Sequence, residues 1–545
     1  MQPFLSVCMI VKNEEKVLKR CLESLRGIAD EIIIADTGST DRTKKIAEEF
    51  TDAVYDYKWV NDFSKARNFA ASKASGEWIL AMDADEYVDR EEFSEFKKAL
   101  LINPPLADIL AVQIVNFVGL HGAETVLNYH ERMYRNNGEL SYFRSIHELI
   151  KSSRGNEKRA LIDLNVYHSG YLKEVVAEKN KSERNLTLLK NKKNREPIDY
   201  YFLGNEYSQL GMLEKAIESY KKGYQQKEDM HIDWVKKLLV RLVSCLHTLN
   251  RDQEALQINE GCIEFYFNLV DFRFLKGKIL FDQRKSTEAI KIFNEILQSK
   301  DNLIADSSTD YLGYLPHRYL GELYEQQNEL QLAVHHYSKA LALNDTDDNL
   351  WIKLIGLLGK HSRDDEFLQF IENKCLKRHN MSLVRLIKIL VAVPIKKVQN
   401  LSNNFNQDNR LTVVERHALL LKNSMLNGQY EELTKELSAC QLNKIISTLS
   451  IGIFSIVDYI LLALVSNNQI LKSNLNKFKF DVPIDNLINM LLGKQNKRLS
   501  VQEEELFFSL FKQAYVLNNS MLIELLKKKR QYLGKDKRLM LKELM

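Results

Sequence analysis

Residues 77–85 read Glu77-Trp78-Ile79-Leu80-Ala81-Met82-Asp83-Ala84-Asp85: an apolar run that ends in two aspartates one residue apart. A short, unbroken apolar run preceded by a glycine (Gly76) predicts a strand buried on both faces, as in parallel sheets covered by helices. Carboxylates placed straight after such a strand lie at the edge where open α/β sheets take their ligands.

The same pattern repeats on the N-terminal side. Leu5–Val11 (LSVCMIV) and Glu31–Ala35 (EIIIA) predict two more buried strands, and Ala53–Tyr57 a third, shorter one. Between them lie helical spacings. In Glu15–Leu25, Val17, Leu18, Cys21, Leu22 and Leu25 share one face. Arg42–Phe50 follows a turn cluster, with Asp41 or Thr40 as its expected cap, and Phe63–Lys73 is expected to be capped by Asp62 or Ser64. Alternating strands and helices predict βαβ units. From about 107 to 170 the pattern is strand-like and more mixed, with Leu110–Phe117, Glu131–Tyr134 and Leu161–Tyr167 as candidates. This half is expected to build the acceptor side.

Beyond residue 178 nearly every segment has helical spacing, and a repeat is visible. Tyr200, Leu203, Gly204, Tyr207, Ala216 and Tyr220 fall at the offsets of a tetratricopeptide unit. Its small residue recurs as Ala216, Ala255, Ala289 and Ala333, and Leu320, Gly321, Tyr324, Tyr337 and Ala340 restate the motif. Small residues let the two helices of a hairpin approach, and large ones fill the space between hairpins. Three domains are expected: 1–178 α/β with a Rossmann-like mixed sheet, 179–347 tetratricopeptide-like and all-α, and 348–545 a degenerate helical continuation. The most apolar stretch, Leu449–Val465, contains Asp458 and falls short of the roughly 20 residues that span a bilayer. It is read as one buried helix, and no transmembrane segment is expected.

The 545 residues carry 77 basic and 73 acidic side chains, so no charge excess points to nucleic acid. Six cysteines without a CxxC pair argue against a disulfide or zinc-thiolate framework. With no basic-then-apolar leader at Met1-Gln2-Pro3-Phe4, a cytoplasmic location is expected.

The chemistry is expected at the strand ends. Asp83-Ala84-Asp85 can hold a hard divalent cation, Mg²⁺ or Mn²⁺, against the diphosphate of a nucleotide sugar. A bare Asp-x-Asp is also a common solvated turn; the strand before it and its companions at the same sheet edge decide the reading. Asp36 follows the second strand and can accept hydrogen bonds from a base or ribose. Asn13-Glu14 closes the first strand. Arg67 can meet phosphate or base, and Asn68 the base. On the acceptor side, Glu148 is a candidate general base, with His147 as neighbour or substitute. His168, at a strand end before Ser169-Gly170-Tyr171, can complete a metal shell with Asp85. His130 also stands near carboxylates.

Taken in order, CMIVKNEE, IIIADTGSTDRT, WVNDFSKARN, AMDADE, ERMYR, SIHE and YHSGY resemble the motifs of family 2 glycosyltransferases of the GT-A fold. The chain is most similar to the subgroup followed by tetratricopeptide repeats, and in particular to bacteriocin-modifying (sublancin-type) S-glycosyltransferases. The resemblance spans about 1–345. It implies a metal-dependent, inverting transferase that uses a UDP-sugar. Asp36 and Asn68 would line the nucleotide pocket, Asp83 and Asp85 would form the metal-diphosphate motif, and His168 would be a further metal ligand. A peptide or protein acceptor follows from the resemblance and from the repeats, which also offer a surface for a homodimer. Two rivals remain: a transferase of cell-envelope glycan synthesis, and a non-catalytic repeat scaffold that binds nucleotide sugar. One departure stands out: where relatives often carry His-Gly shortly before the I/V-H-E motif, this chain has Arg144-Ser145.

Overall fold

The computed structural model describes residues 3–118, 124–168, 175–192, 194–478, 485–493, 498–534 and 538. The chain forms two compact units, 1–262 and 263–545.

The first unit is built on a mixed eight-stranded sheet. β1 (Leu5–Val11), β2 (Glu31–Asp36), β3 (Val54–Asp56) and β4 (Trp78–Met82) are parallel, in the order β3-β2-β1-β4. β7 (Glu124–Arg135) then pairs antiparallel with both β4 and β6 (Ile109–Val118). β10 (Arg159–His168) runs parallel to β6, and β5 (Glu86–Val88) closes the edge antiparallel to β10. β8 (Leu140–Phe143) and β9 (Leu149–Ser152) form a separate hairpin.

Period-two alternation explains why the sheet is buried on both sides. Val7, Met9, Val11, Trp78, Leu80 and Met82 join one apolar cluster, with Leu18, Cys21, Leu22 and Leu25 of α1 (Leu18–Leu25) and Phe93 and Leu100 of α4 (Arg90–Ile102). Cys8, Ile33, Ala35, Ile79 and Ala81 join the other, with Ala70 of α3 (Phe63–Ala71). α2 (Thr43–Glu48) follows β2. Arg42 occupies its N-cap position without a side-chain bond, while Asp41 accepts the Thr43 N–H at 2.9 Å; Thr40 caps nothing here. Asp62 caps α3 through the Lys65 N–H.

The expected repeats are present as helical hairpins. α5 (Val175–Asn191) leads into α6 (Pro197–Gln209) and α7 (Leu213–Gln225), then α8 (Asp233–Thr248) and α9 (Asp252–Phe265). In the second unit, α10 (Val270–Asp282) pairs with α11 (Ser286–Ser299), and α12 (Tyr314–Gln326) with α13 (Leu330–Leu343). Ala216, Ala255, Ala289 and Ala333 are fully buried. In three of these hairpins the close approach is a glycine under a ring: a Cβ on Gly204, Gly277 or Gly321 would overlap Tyr220, Phe293 or Tyr337 respectively.

From Asp348 onward the described residues of the second unit form helices around one extensive apolar core. Here the structure corrects the reading of Leu449–Val465 as a single helix. One helix, Leu442–Ile451, stops at Gly452 (φ +78°), and another, Ile456–Ser466, starts on a Ser455 cap. A left-handed glycine is a common helix stop, and a serine three residues before an acid is a capping box. Asp458 is that acid; its carboxylate also meets Lys422 at 2.7 Å in a nearly fully buried ion pair. Among the described residues, no helix is long and apolar enough to cross a membrane.

Candidate active site

Because β2, β1 and β4 are adjacent and parallel, their carboxyl ends bring Asp36, Asn13 and the Asp83–Asp85 turn to one edge of the sheet. Asp36 is buried. Gly38 N–H (2.8 Å) and Ser39 N–H (2.7 Å) donate to its Oδ1, while its Oδ2 is buried without a hydrogen-bond partner. A buried carboxylate oxygen without a donor is costly unless a ligand supplies one. The loop after Asp36 is shaped from the β1 side. Asn13, at φ +55°, accepts the Thr40 N–H at 2.8 Å and donates its own N–H to Ser39 Oγ at 2.9 Å. Glu14 N–H donates to Thr43 Oγ1 at 2.6 Å.

At the end of β4 the chain folds back sharply. Asp83 N–H donates to Glu86 Oε2 (2.8 Å), and Glu86 N–H to Asp83 O (3.1 Å). Two arginines converge on the Asp83 carboxylate: Arg67 from α3 at 2.9 Å and Arg132 from β7 at 2.8 Å. Each also reaches a second acid, Arg67 meeting Glu148 Oε1 at 3.3 Å and Arg132 meeting Glu86 Oε1 at 2.7 Å. The result is a chain of alternating charge, Glu148–Arg67–Asp83–Arg132–Glu86. Burial works against the charge of Asp83, yet Arg132 and Arg67 hold it well below the usual carboxylate range. Burial pushes Glu86 above its ordinary range; Arg132 opposes the shift and the neighbouring Asp83 charge adds to it. Ala84 contributes no polar side chain; its methyl is buried in the apolar cluster that includes α1.

Arg132 and Glu86 went unassigned in the sequence. Arg132 stands in the ERMYR motif, where strand alternation gives a lone arginine no special role. The pairing of β7 with β6 slips by one residue at this point, from Leu110↔Met133 to Ala111↔Glu131, and leaves Arg132 as the extra residue of a β-bulge. Bulges re-aim side chains beside active sites, and nothing local in the sequence announces this one.

The remaining candidates divide. Asn68 donates from Nδ2 to Tyr142 O and accepts the Tyr142 N–H at Oδ1, both at 2.8 Å, so its amide clamps α3 to β8. His147 and Glu148, adjacent in sequence, part company. Glu148 joins the Arg67 cluster, whereas the His147 ring stacks on Phe202 of α6 (centroids 3.9 Å apart, planes at 10°). His130 lies on β7 and is exposed. His168 ends β10 opposite Glu86 of β5. Its Nδ1 lies 2.8 Å from Asn116 Oδ1, and its Nε2 3.5 Å from Asp85 Oδ1. In the neutral ring Nδ1 then carries the proton, which turns the Nε2 lone pair toward a carboxylate oxygen. Ser169, Gly170 and Tyr171 lie outside the described residues.

Fold and site together define an α/β domain with a cluster of acids and arginines at its strand ends, joined to tetratricopeptide hairpins. Residues 6–164 match the model of glycosyl transferase family 2, and residues 200–229 that of a tetratricopeptide repeat. The chain is 32% identical over 397 residues to the SPbeta prophage-derived glycosyltransferase SunS of Bacillus subtilis, an alignment covering 70% of this chain and 86% of that protein. It is 33% identical over 232 residues to a TPR repeat-containing protein of Synechococcus elongatus, covering 41% of this chain and only 56% of that one. Among solved structures it is similar to S. aureus TarS 1-349 in complex with UDP-GlcNAc, at 16% identity and a TM-score of 0.29, over 46% of this chain and 89% of that one. The chain belongs to glycosyltransferase family 2.

Proposed function

We propose that this chain is a metal-dependent, inverting glycosyltransferase that moves a sugar from a UDP-sugar to a peptide or protein side chain. The observation that carries this reading is the single Arg67 guanidinium that touches both Asp83, in the donor motif, and Glu148, on the acceptor side. One planar side chain thereby holds a donor-side and an acceptor-side carboxylate within reach of one reacting centre. In this scheme Asp36 accepts a hydrogen bond from the base or ribose at Oδ2, and Asn13 and Glu14 hold its loop in shape. Arg67 and Arg132 fix Asp83, with Asn68 holding α3 in place. Glu148 takes the proton from an acceptor hydroxyl or thiol as the nucleophile attacks the anomeric carbon from the face opposite the leaving diphosphate, which inverts the sugar. His147 is assigned to the support of that turn.

Asp85 and His168, a carboxylate and an imidazole facing each other, fit Mn²⁺ or Mg²⁺. Among the described residues they do not belong to a cluster of three or more protein ligands. That suits a cation whose other positions are filled by substrate phosphates and water. When bound, the ion supplies charge neutralisation of the departing diphosphate. The peptide acceptor is supported by the repeat hairpins and by the resemblance of the motifs to those of bacteriocin S-glycosyltransferases.

The test is incubation with UDP-glucose or UDP-N-acetylglucosamine and candidate peptides, followed by mass spectrometry. A peptide gaining one glycosyl residue, in a reaction abolished by chelation, restored by Mn²⁺ and absent in Asp85→Ala, is the expected result. Transfer unaffected by chelation removes the metal. UDP release with no modified peptide across a broad panel removes the peptide acceptor.

A further inference from the structure

The turn between β8 and β9 carries Glu148, and it is an unusual piece of backbone. Arg144 (φ +77°) and His147 (φ +52°) both lie in the left-handed region. For residues with a side chain such conformations are strained, and they persist only where surrounding contacts hold them. The sheet domain supplies part of the hold: Phe63 N–H donates to Ser145 O at 2.9 Å, and Arg67 binds Glu148.

The other side chains of the turn are held by the helices that open the repeat domain. Arg144, almost fully buried, pairs with Asp199 and with Glu196 (2.6 Å) at the start of α6, and its guanidinium lies 5.4 Å from the Phe202 ring centre. Asp199 is itself locked: it accepts Lys192 Nζ at 2.6 Å and the Glu196 N–H at 2.7 Å. Ile146 is buried in a cluster with Leu186 and Leu189 of α5 and Leu203 of α6. His147 stacks on Phe202, with Nε2 3.6 Å from Glu206 Oε1. Ser145 and Glu148 thus face α3, while Arg144, Ile146 and His147 face α5 and α6.

From this division we infer that the first repeat hairpin is part of the catalytic scaffold, with Asp199 and Phe202 acting as positioning residues for Glu148. The inference rests on the proposed role of Glu148 as the general base. The sheet domain alone presents the donor motif; the strained conformation that aims the base is set by α6. It also accounts for Arg144-Ser145: an arginine at 144 reaches the two acids at the start of α6, which a short or neutral side chain there would leave to Lys192 alone.

The test uses the full chain and three variants: Phe202→Leu, which keeps the helix but removes the stack; Arg144→Met, which removes the ion pairs; and Phe202→Tyr, which keeps a ring. Two readouts are taken: turnover of the UDP-sugar with calorimetric UDP affinity, and hydrogen exchange of the 144–149 amides, which needs no substrate. Displacing a catalytic group by about 1 Å slows a reaction by about 100-fold. Phe202→Leu and Arg144→Met are therefore expected to lower kcat by tenfold or more. UDP affinity and KM should stay within about twofold, and exchange should rise in 144–149 but not in 78–82. Phe202→Tyr should restore both. If Glu148→Gln is slow while Phe202→Leu and Arg144→Met both turn over like wild type, or if exchange at 144–149 is unchanged, the positioning role is wrong although the base assignment stands. If Glu148→Gln itself turns over like wild type, the base assignment fails and takes this inference with it.

Discussion

Replacing Asp36 by asparagine changes one atom, the buried Oδ2 that lacks a hydrogen-bond partner. The asparagine oxygen can still accept Gly38 N–H and Ser39 N–H, so the loop after β2 keeps both of its ties. The other position becomes an NH₂ group, a donor facing the donor that a base or ribose would offer. A hydrogen bond to a charged acceptor is worth about 1.5–3 kcal/mol. At 1.4 kcal/mol per tenfold, UDP should therefore bind Asp36→Asn about 10- to 150-fold more weakly. Ligand-free stability should not fall, because no native hydrogen bond is lost and a buried charge is removed. Isothermal titration calorimetry with UDP and a thermal melt of both proteins provide the two numbers. Unchanged UDP affinity would show that Oδ2 does not face the nucleotide. Weaker binding accompanied by a melting point several degrees lower would show that the effect comes from a damaged loop.

Lys422→Met should destabilise the second unit by about 3–5 kcal/mol, because it strands the buried Asp458 carboxylate; Lys422→Met with Asp458→Leu should recover most of that loss, less about 1 kcal/mol for the missing cap, and equal denaturation midpoints for the single and double variants would contradict this. Gly321→Ala should cost about 1–3 kcal/mol by driving a methyl into Tyr337, with partial recovery in Gly321→Ala/Tyr337→Leu; a melting curve matching wild type would refute the close packing. Asp30 is exposed; its limited desolvation opposes its charge, but Lys97 and the Leu5 and Phe4 N–H groups hold it below its ordinary value. Its contribution to stability is therefore present above the unfolded carboxylate range, about 3.9, and lost as pH falls through the folded value. Acid unfolding of Asp30→Asn should accordingly depend less on pH below about 4 than that of wild type, and parallel acid profiles would refute it.

Much of this architecture is legible along the chain because its signals are local. The strands around LSVCMIV, EIIIA and WILAM, and the glycine and alanine offsets of the hairpins, follow from periodicity within a dozen residues. α4, absent from the sequence expectations, also has a local signal: Asp89 accepts the Glu91 and Glu92 N–H groups ahead of Phe93, Phe96 and Leu100. Gly452 and Ser455 mark the break in Leu449–Val465, a break that hydropathy alone conceals. What was not legible depends on partners far away in sequence. Arg132 meets Glu86 and Asp83 across 46 and 49 positions, and His147 finds Phe202 across 55. A pair such as His147-Glu148 reads as one functional unit until the backbone sends its members to different helices.

The slip in pairing at Arg132 bears on how this domain tolerates change in length. Removing one residue at positions 131–132 would let β7 and β6 run in unbroken register, and backbone pairing would be no poorer for it. The guanidinium that clamps the end of β4 would then be lost or turned through the pleat, and Asp83 and Glu86 would share their corner without it. A one-residue deletion at this point would leave a domain that still folds as a sheet but can no longer clamp the turn after β4.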